Sequence, residues 1–112
     1  MSTLRNSVRL IGNVGQVPEI KNLENGQKVA NFSMATNEVY YDKDGKKVTK
    51  TTWHNLVAWG KVAEIVENYV DKGKEIAIEG KLTNRTYETK EGQTRYVTEI
   101  LVNELLLLGM KN

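Results

Sequence analysis

The 112-residue sequence predicts an all-β domain carrying one α-helix, and three observations support that class. Five segments alternate apolar and polar side chains with a period of two, as half-buried strands do. One segment instead repeats at i, i+3, i+4 and i+7, as an amphipathic helix does. Glycine-containing turns at Asn25-Gly26, Asp44-Gly45, Gly60, Lys72-Gly73 and Glu91-Gly92 punctuate these segments. Such turns tolerate the positive φ angles that tight reversals need.

The elements follow in chain order. Val8 to Val14 is rich in branched residues, with Arg9 its one internal charge, and reads as the first strand. Val29 to Tyr41 alternates, with Ala30, Phe32 and Met34 on one face and Asn31, Ser33 and Asn37 on the other. Val48 to Trp59 places His54, Leu56 and Ala58 on one side and Trp53, Asn55, Val57 and Trp59 on the opposite side. Over Lys61 to Lys72 the period changes, and Val62, Ile65, Val66 and Tyr69 make one helical stripe, with Lys72 in the last turn and Gly73 as the C′ residue. Glu75 to Tyr87 returns to the strand period, with Ile76, Ile78, Gly80 and Leu82 facing away from Lys81, Thr83, Arg85 and Tyr87. Thr94 to Val102 groups Tyr96, Thr98, Ile100 and Val102 on one face. Three strands, one helix and two strands is the order of the OB-fold, a five-stranded Greek-key barrel with one α-helix between strands 3 and 4. Pattern alone leaves an SH3-like barrel and a small α+β sandwich open.

Size and composition bound the function. A mass of 12.7 kDa is one domain, residues 1–112, with no room for a second. The chain has no cysteine and one histidine, so disulfides, thiolate metal sites, Cys nucleophiles and His-based metal centres are not expected. Asp42-Lys-Asp44-Gly45 begins like a calcium loop, but the twelfth position, where such a loop needs a bidentate Glu, is Trp53. Gly60-Lys61 lacks the earlier glycine of a phosphate-cradling loop. Glu64 and Glu67 lie one turn apart on the expected solvent face of the helix. His54 shares its register with Leu56 and Ala58, which suggests a core or interface position rather than a general base. No nucleophile, base and orienter assemble, so no catalytic residue, metal or cofactor is expected. The longest uninterrupted leucine run is Leu105 to Leu108, far too short to span a bilayer, and no signal peptide is visible. A soluble, cytoplasmic protein with no membrane partner is therefore expected.

The chemistry that remains is aromatic rings interleaved with cations. Sixteen Lys and Arg oppose fourteen Asp and Glu, a formal charge of +2, so any polyanion must be met by a local concentration of positive charge. Trp53 and Trp59 share the face opposite the apolar one. Tyr87 shares its face with Lys81 and Arg85. Tyr40 and Tyr41 precede a hairpin holding Lys43, Lys46, Lys47 and Lys50. Rings stack on any base and nearby cations follow the phosphates, which is how sequence-tolerant single-strand binding works. Packing of the same rings in the barrel or at a subunit contact is the structural alternative.

Several segments resemble the bacterial single-stranded DNA-binding protein family. They are Asn6 to Glu19, Val29 to Glu38, Thr52 to Lys61 (with its Trp-His pair and its Trp-Gly-Lys ending), Tyr69 to Gly80 and Arg95 to Glu99. The resemblance runs from about residue 4 to about residue 109, with the motifs in order. It implies an OB-fold homotetramer that wraps single-stranded DNA during replication, recombination and repair. It implies that Trp53 stacks on bases and that Trp59 stands at a position usually aromatic. Tyr40 and Tyr87 occupy positions where well-known members have tryptophan. Lys43, Lys61, Lys72 and Arg85 match basic positions expected to contact phosphates, while Thr83 and Thr86 replace residues often basic. His54 matches a family histidine near the subunit contacts. Members usually continue into a flexible linker and an acidic tip that recruits replication and repair enzymes. This sequence stops at Met110-Lys111-Asn112, so the acidic C-terminal tail, and recruitment through it, are not expected.

Two other classes compete with that expectation. One is a tail-less OB adaptor resembling primosomal replication protein N, a dimer acting mainly through protein contacts. The other is a small nuclease, which the missing metal cluster disfavours.

Overall fold

Alternation in the sequence becomes alternation in burial. In the computed structural model, which describes residues 4–108, Ala30, Phe32 and Met34 are buried while Asn31 and Ser33 between them are partly exposed. A 3-10 turn at Leu4–Asn6 leads into β1 (Val8–Val14), β2 (Glu19–Asn22), β3 (Lys28–Tyr41) and β4 (Lys47–Trp59). Helix α1 (Gly60–Tyr69) and strands β5 (Glu75–Glu88) and β6 (Thr94–Leu107) follow. The sheet runs β1-β5-β6-β4-β3-β2, and the additional pairing of β1 with β3 closes the five longer strands into a barrel. Every ladder is antiparallel except β4 with β6, which is parallel at Leu56↔Ile100 and Val57↔Leu101. That is the OB-fold expected from the element order. Met110, Lys111 and Asn112, on which the expectation of a missing tail rests, lie outside the described residues.

Closure depends on one close approach. Asn13 and Val14 of β1 pair with Ala35 and Met34 of β3. A Cβ on the preceding Gly12 would lie 2.2 Å from the Ala35 carbonyl oxygen, so only glycine lets the two backbones meet there. Inside the barrel, Met34, Leu56, Ile76 and Val66 are the largest fully buried side chains, packed with Phe32, Ile78, Ile100 and Val102.

Four features differ from the sequence reading. The short strand β2, which pairs Glu19–Asn22 with Asn31–Lys28, is not foreseen, because a four-residue edge strand with Ile20 as its one apolar residue shows no usable period. The helix is rotated from its expected stripe: Ala63, Val66 and Val70 are buried, while Ile65 and Tyr69 are exposed. The small Ala63 side chain lets the helix sit close over the barrel end, and packing rather than hydropathy selects that face. The helix also ends early, with Val70 N–H donating to the Val66 carbonyl, because Val70 turns extended to bury its side chain. Lys72 and Gly73 therefore fall outside the helix, and Gly73 is not its C′ residue. Gly73 instead sits in the following turn, where its N–H donates to the Val14 carbonyl over 2.7 Å. Finally, β6 runs past Val102 through a bulge, since Gly80 opposes Val102 and Glu79 opposes Glu104, leaving Asn103 unopposed. The bulge switches the inward parity, so Leu105 and Leu107 pack against the core and Leu106 points out.

Three hairpins share one turn device. Leu23, Asp42 and Thr89 each donate to the carbonyl four residues on and accept from Gly26, Gly45 and Gly92, whose φ angles lie between 79° and 88°. The β3–β4 and β5–β6 hairpins project beyond the barrel as arms. The radius of gyration is consequently 16.3 Å, against about 13 Å for a compact chain of this length. Cross-strand bonds stiffen the arms, Thr51 to Asn37 over 2.6 Å and Thr98 to Asn84 over 2.9 Å.

Candidate nucleic-acid interface

The outward face of the barrel can be followed across its strands. Val29, Asn31, Ser33 and Ala35 on β3 stand beside Trp59, Val57, Asn55 and Trp53 on β4. The row continues through Leu101, Glu99 and Val97 of β6 to Lys81, Thr83 and Arg85 of β5, with Tyr87 beyond, opposite Arg95. The twisted sheet makes this face concave, and Val29 and Val57 are buried within it. Two adjoining hollows of about 460 and 420 Å³ lie along it, and Lys21, Asn31, Arg85 and Glu99 line both. Trp59 lines the second hollow.

The expected stacking residues are open to solvent. Trp53 is 61% exposed, Trp59 43%, Tyr40 51% and Tyr87 46%, whereas side chains needed for the core are below a tenth. The two tryptophans stand six residues apart on β4, about 20 Å by strand rise, so each would meet a different base. Trp53 lies at the barrel end where the chain leaves β1. Its ring edge rests against Gly15, where a Cβ would fall 2.5 Å from Trp53 Cζ3 and 2.9 Å from Ser33 Oγ.

The structure does not gather every expected residue. Strand pleating places Tyr40, opposite Val48, on the other face of the arm from Trp53, and it is Tyr41, opposite Lys47, that shares the Trp53 face. Lys43 is at the tip of the arm, where the Asp42 carboxylate accepts from the Asp44 and Lys46 N–H groups. Lys61 is in the first turn of α1 and Lys72 in the turn after it, and neither lines the two hollows. Arg85 does line them, but it is not a free cation: its Nη2 donates to Glu99 Oε2 over 3.0 Å. That hydrogen bond and the carboxylate's charge raise the Arg85 pKa, so the guanidinium stays protonated. His54 is half-buried, with Nε2 3.0 Å from Thr36 Oγ1 of its own chain.

Sequence reasoning missed Lys21, Asn31 and Glu99. Lys21 belongs to the unforeseen β2. Asn31 and Glu99 looked like ordinary outward-facing strand residues, and only the closure of the barrel brings them together. Among the described residues, no group of three or more His, Asp or Glu side chains could hold a metal ion, and no helix is long and apolar enough to cross a membrane.

A second surface lies on the β1-β5-β6 side. Ile11 opposes Ala77, which in turn opposes Leu106, and Ile11 and Leu106 are 60% and 67% exposed. They line a shallow depression of about 480 Å³ bordered by the Arg9–Glu79 ion pair (3.5 Å) and Glu104. Over Val8 to Gly12, β1 has β5 on one side and an open edge on the other.

These features define an OB barrel whose concave face presents aromatic and basic groups. Residues 5–108 match the model of the single-strand binding protein family, and the chain belongs to that family. It is 41% identical over 107 residues to a single-stranded DNA-binding protein of Neisseria meningitidis serogroup B, covering 96% of this chain and 62% of the relative. It is 42% identical over 108 residues to single-stranded DNA-binding protein 1 of Chlorobaculum tepidum, covering 96% and 67%. The chain thus spans about two-thirds of the length of these relatives. Among solved structures, a Plasmodium falciparum SSB complex with ssDNA superposes with a TM-score of 0.84 at 36% identity, over 92% of this chain and 94% of that one.

Proposed function

We propose that this chain binds single-stranded DNA without strong sequence preference and protects it during replication, recombination and repair, as a cytoplasmic homotetramer. The observation that carries the reading is the pair of exposed tryptophans on a concave, cation-bearing face. Large rings left in solvent are platforms for bases, and stacking contributes about 1–3 kcal/mol per base. Family membership and the relatives' names support the same substrate.

Binding proceeds by two separable interactions. Trp53, Trp59 and Tyr87 offer faces to bases, and Tyr40 offers one on the back of the arm. Lys43, Lys61 and Lys72 meet phosphates outside the hollows. No bond is made or broken, and the protein acts as a binder rather than an enzyme. Assembly draws on the Ile11, Ala77 and Leu106 surface and the open edge of β1, which leave apolar groups and backbone donors unpartnered. His54 is assigned to the contacts between subunits. Four linked barrels would wrap one strand more tightly than any barrel alone. A primosomal adaptor is not favoured, since the Neisseria meningitidis and Chlorobaculum tepidum relatives are single-stranded DNA-binding proteins.

Fluorescence titration with poly-dT at two salt concentrations tests the reading. Quenching of tryptophan emission and affinity that falls with salt are expected. Absence of binding at low salt would refute it, and sedimentation of the free protein decides between tetramer and dimer.

A further inference from the structure

A carboxylate in the middle of a surface meant for a polyanion needs a reason. Glu99 lies on β6 opposite Thr83, lines both hollows of the concave face, and has a side chain only 12% exposed. Its Oε2 accepts from Arg85 Nη2 over 3.0 Å, while the Arg85 side chain remains 59% exposed. The pair is thus lopsided: one partner is fixed in the wall of the groove and the other is held by it in the open. An exposed pair between two mobile side chains would restrain little. Here the acid is immobile, so the guanidinium is restrained at one edge while much of its surface stays accessible.

We propose that Glu99 is a positioning residue that turns Arg85 from a phosphate contact into a stacking platform for a base. The inference rests on the single-strand reading above. A guanidinium is planar and delocalised, and it stacks on flat π systems as well as it pairs with anions. Glu99 already occupies one of its donors and neutralises its charge locally. A phosphate approaching Arg85 would meet the Glu99 carboxylate at the same point, and this repulsion favours a strand lying with bases toward the floor and phosphates toward the rim. Lys21, which lines the same hollows from β2, carries no ion pair among the described residues and remains the cation there for a phosphate. Arg85 then adds affinity without adding to the number of counterions released.

That distinction is measurable. The slope of log affinity against log salt changes by about 0.7 for each phosphate neutralised on a single strand. The experiment is titration of the full chain with oligo-dT of fixed length at four or more salt concentrations, for the parent, Arg85→Ala/Glu99→Gln, Glu99→Gln and Lys21→Ala. Arg85→Ala/Glu99→Gln, which removes the ring-like plane without leaving the Glu99 charge unpaired, is expected to weaken binding about fivefold or more at every salt concentration, as loss of a stacking partner does, with the slope unchanged. Glu99→Gln keeps the side chain's shape but frees the Arg85 charge, so the slope should steepen by about 0.7. Lys21→Ala should make it shallower by the same amount. A shallower slope in Arg85→Ala/Glu99→Gln would overturn the proposal, because Arg85 would then be an ordinary phosphate contact with Glu99 as its counterion. An unchanged slope in Glu99→Gln would overturn it equally. If Glu99→Gln does not fold by circular dichroism, Arg85→Lys decides: it keeps the charge but loses the plane, and parental affinity in that variant would refute stacking. Failure of the parent to bind oligo-dT at all would instead refute the single-strand reading itself.

Discussion

Replacing Gly15 by alanine should weaken DNA binding while leaving the fold nearly as stable as before. The new Cβ would sit 2.5 Å from Cζ3 and 3.0 Å from Cη2 of Trp53, and 2.9 Å from Ser33 Oγ. Carbon atoms in contact prefer about 3.5–4.0 Å, so the ring edge must retreat by about 1 Å. Trp53 is 61% exposed, so it has solvent to retreat into. A 1 Å shift at the far edge of an indole is a tilt of about 10°, well short of the ~30° departure that costs about 0.5–1.5 kcal/mol. Gly15 does not have a positive φ, so alanine adopts its backbone without strain. The smaller conformational freedom of the unfolded chain then returns about 0.4–1 kcal/mol. These contributions nearly cancel, and the melting temperature should move by no more than about 4 °C. Binding has no such compensation. A base stacked on the displaced ring should lose about 1 kcal/mol of the 1–3 kcal/mol that a stacking ring supplies, or about fivefold in affinity. The assay is fluorescence titration with oligo-dT, excited at the red edge where tyrosine does not absorb, in a Trp59→Phe background, which leaves Trp53 as the only tryptophan. Parental affinity and quenching in Gly15→Ala, with affinity lost in Trp53→Ala as read through Trp59 in the otherwise unchanged chain, would show that Gly15 does not seat the ring.

The remaining predictions concern the barrel and its assembly. Gly12→Ala meets a fixed backbone carbonyl rather than a movable ring, at 2.2 Å from Ala35 oxygen. It should therefore cost at least about 1–3 kcal/mol of stability by denaturant titration. Met34→Ala empties a fully buried position at the barrel centre. A loss of about 2–5 kcal/mol is expected, seen as a fall of at least about 10 °C in melting temperature. Ile11→Glu places a charge on the exposed apolar surface without touching the core and should lower the mass measured by light scattering, with His54→Glu giving the same direction. An unchanged mass in either variant would remove that residue from the subunit contact.

Much of the barrel was legible in the sequence because each long strand buries one face. That requirement imprints a period of two, from which Ala30, Phe32 and Met34 and the opposed Trp53 and Trp59 could be read directly. The same period put the tryptophans on the outward side, the half of the proposed binding surface that depends on strand parity alone. Tertiary structure decided what depends on distance between segments. The hydropathy of α1 fits two adjacent stripes, and only contact with the barrel chose Ala63, Val66 and Val70 over Ile65 and Tyr69. The bulge at Asn103 reversed the parity of β6, so Leu106 faces out and its neighbours in, although all belong to one leucine run. Arg85 and Glu99 are fourteen residues apart, and Gly15 and Trp53 thirty-eight. Neither pairing leaves a local mark in the chain, because a hydrogen bond or a ring seat formed across a closed barrel depends on strand register and closure rather than on the sequence around either residue.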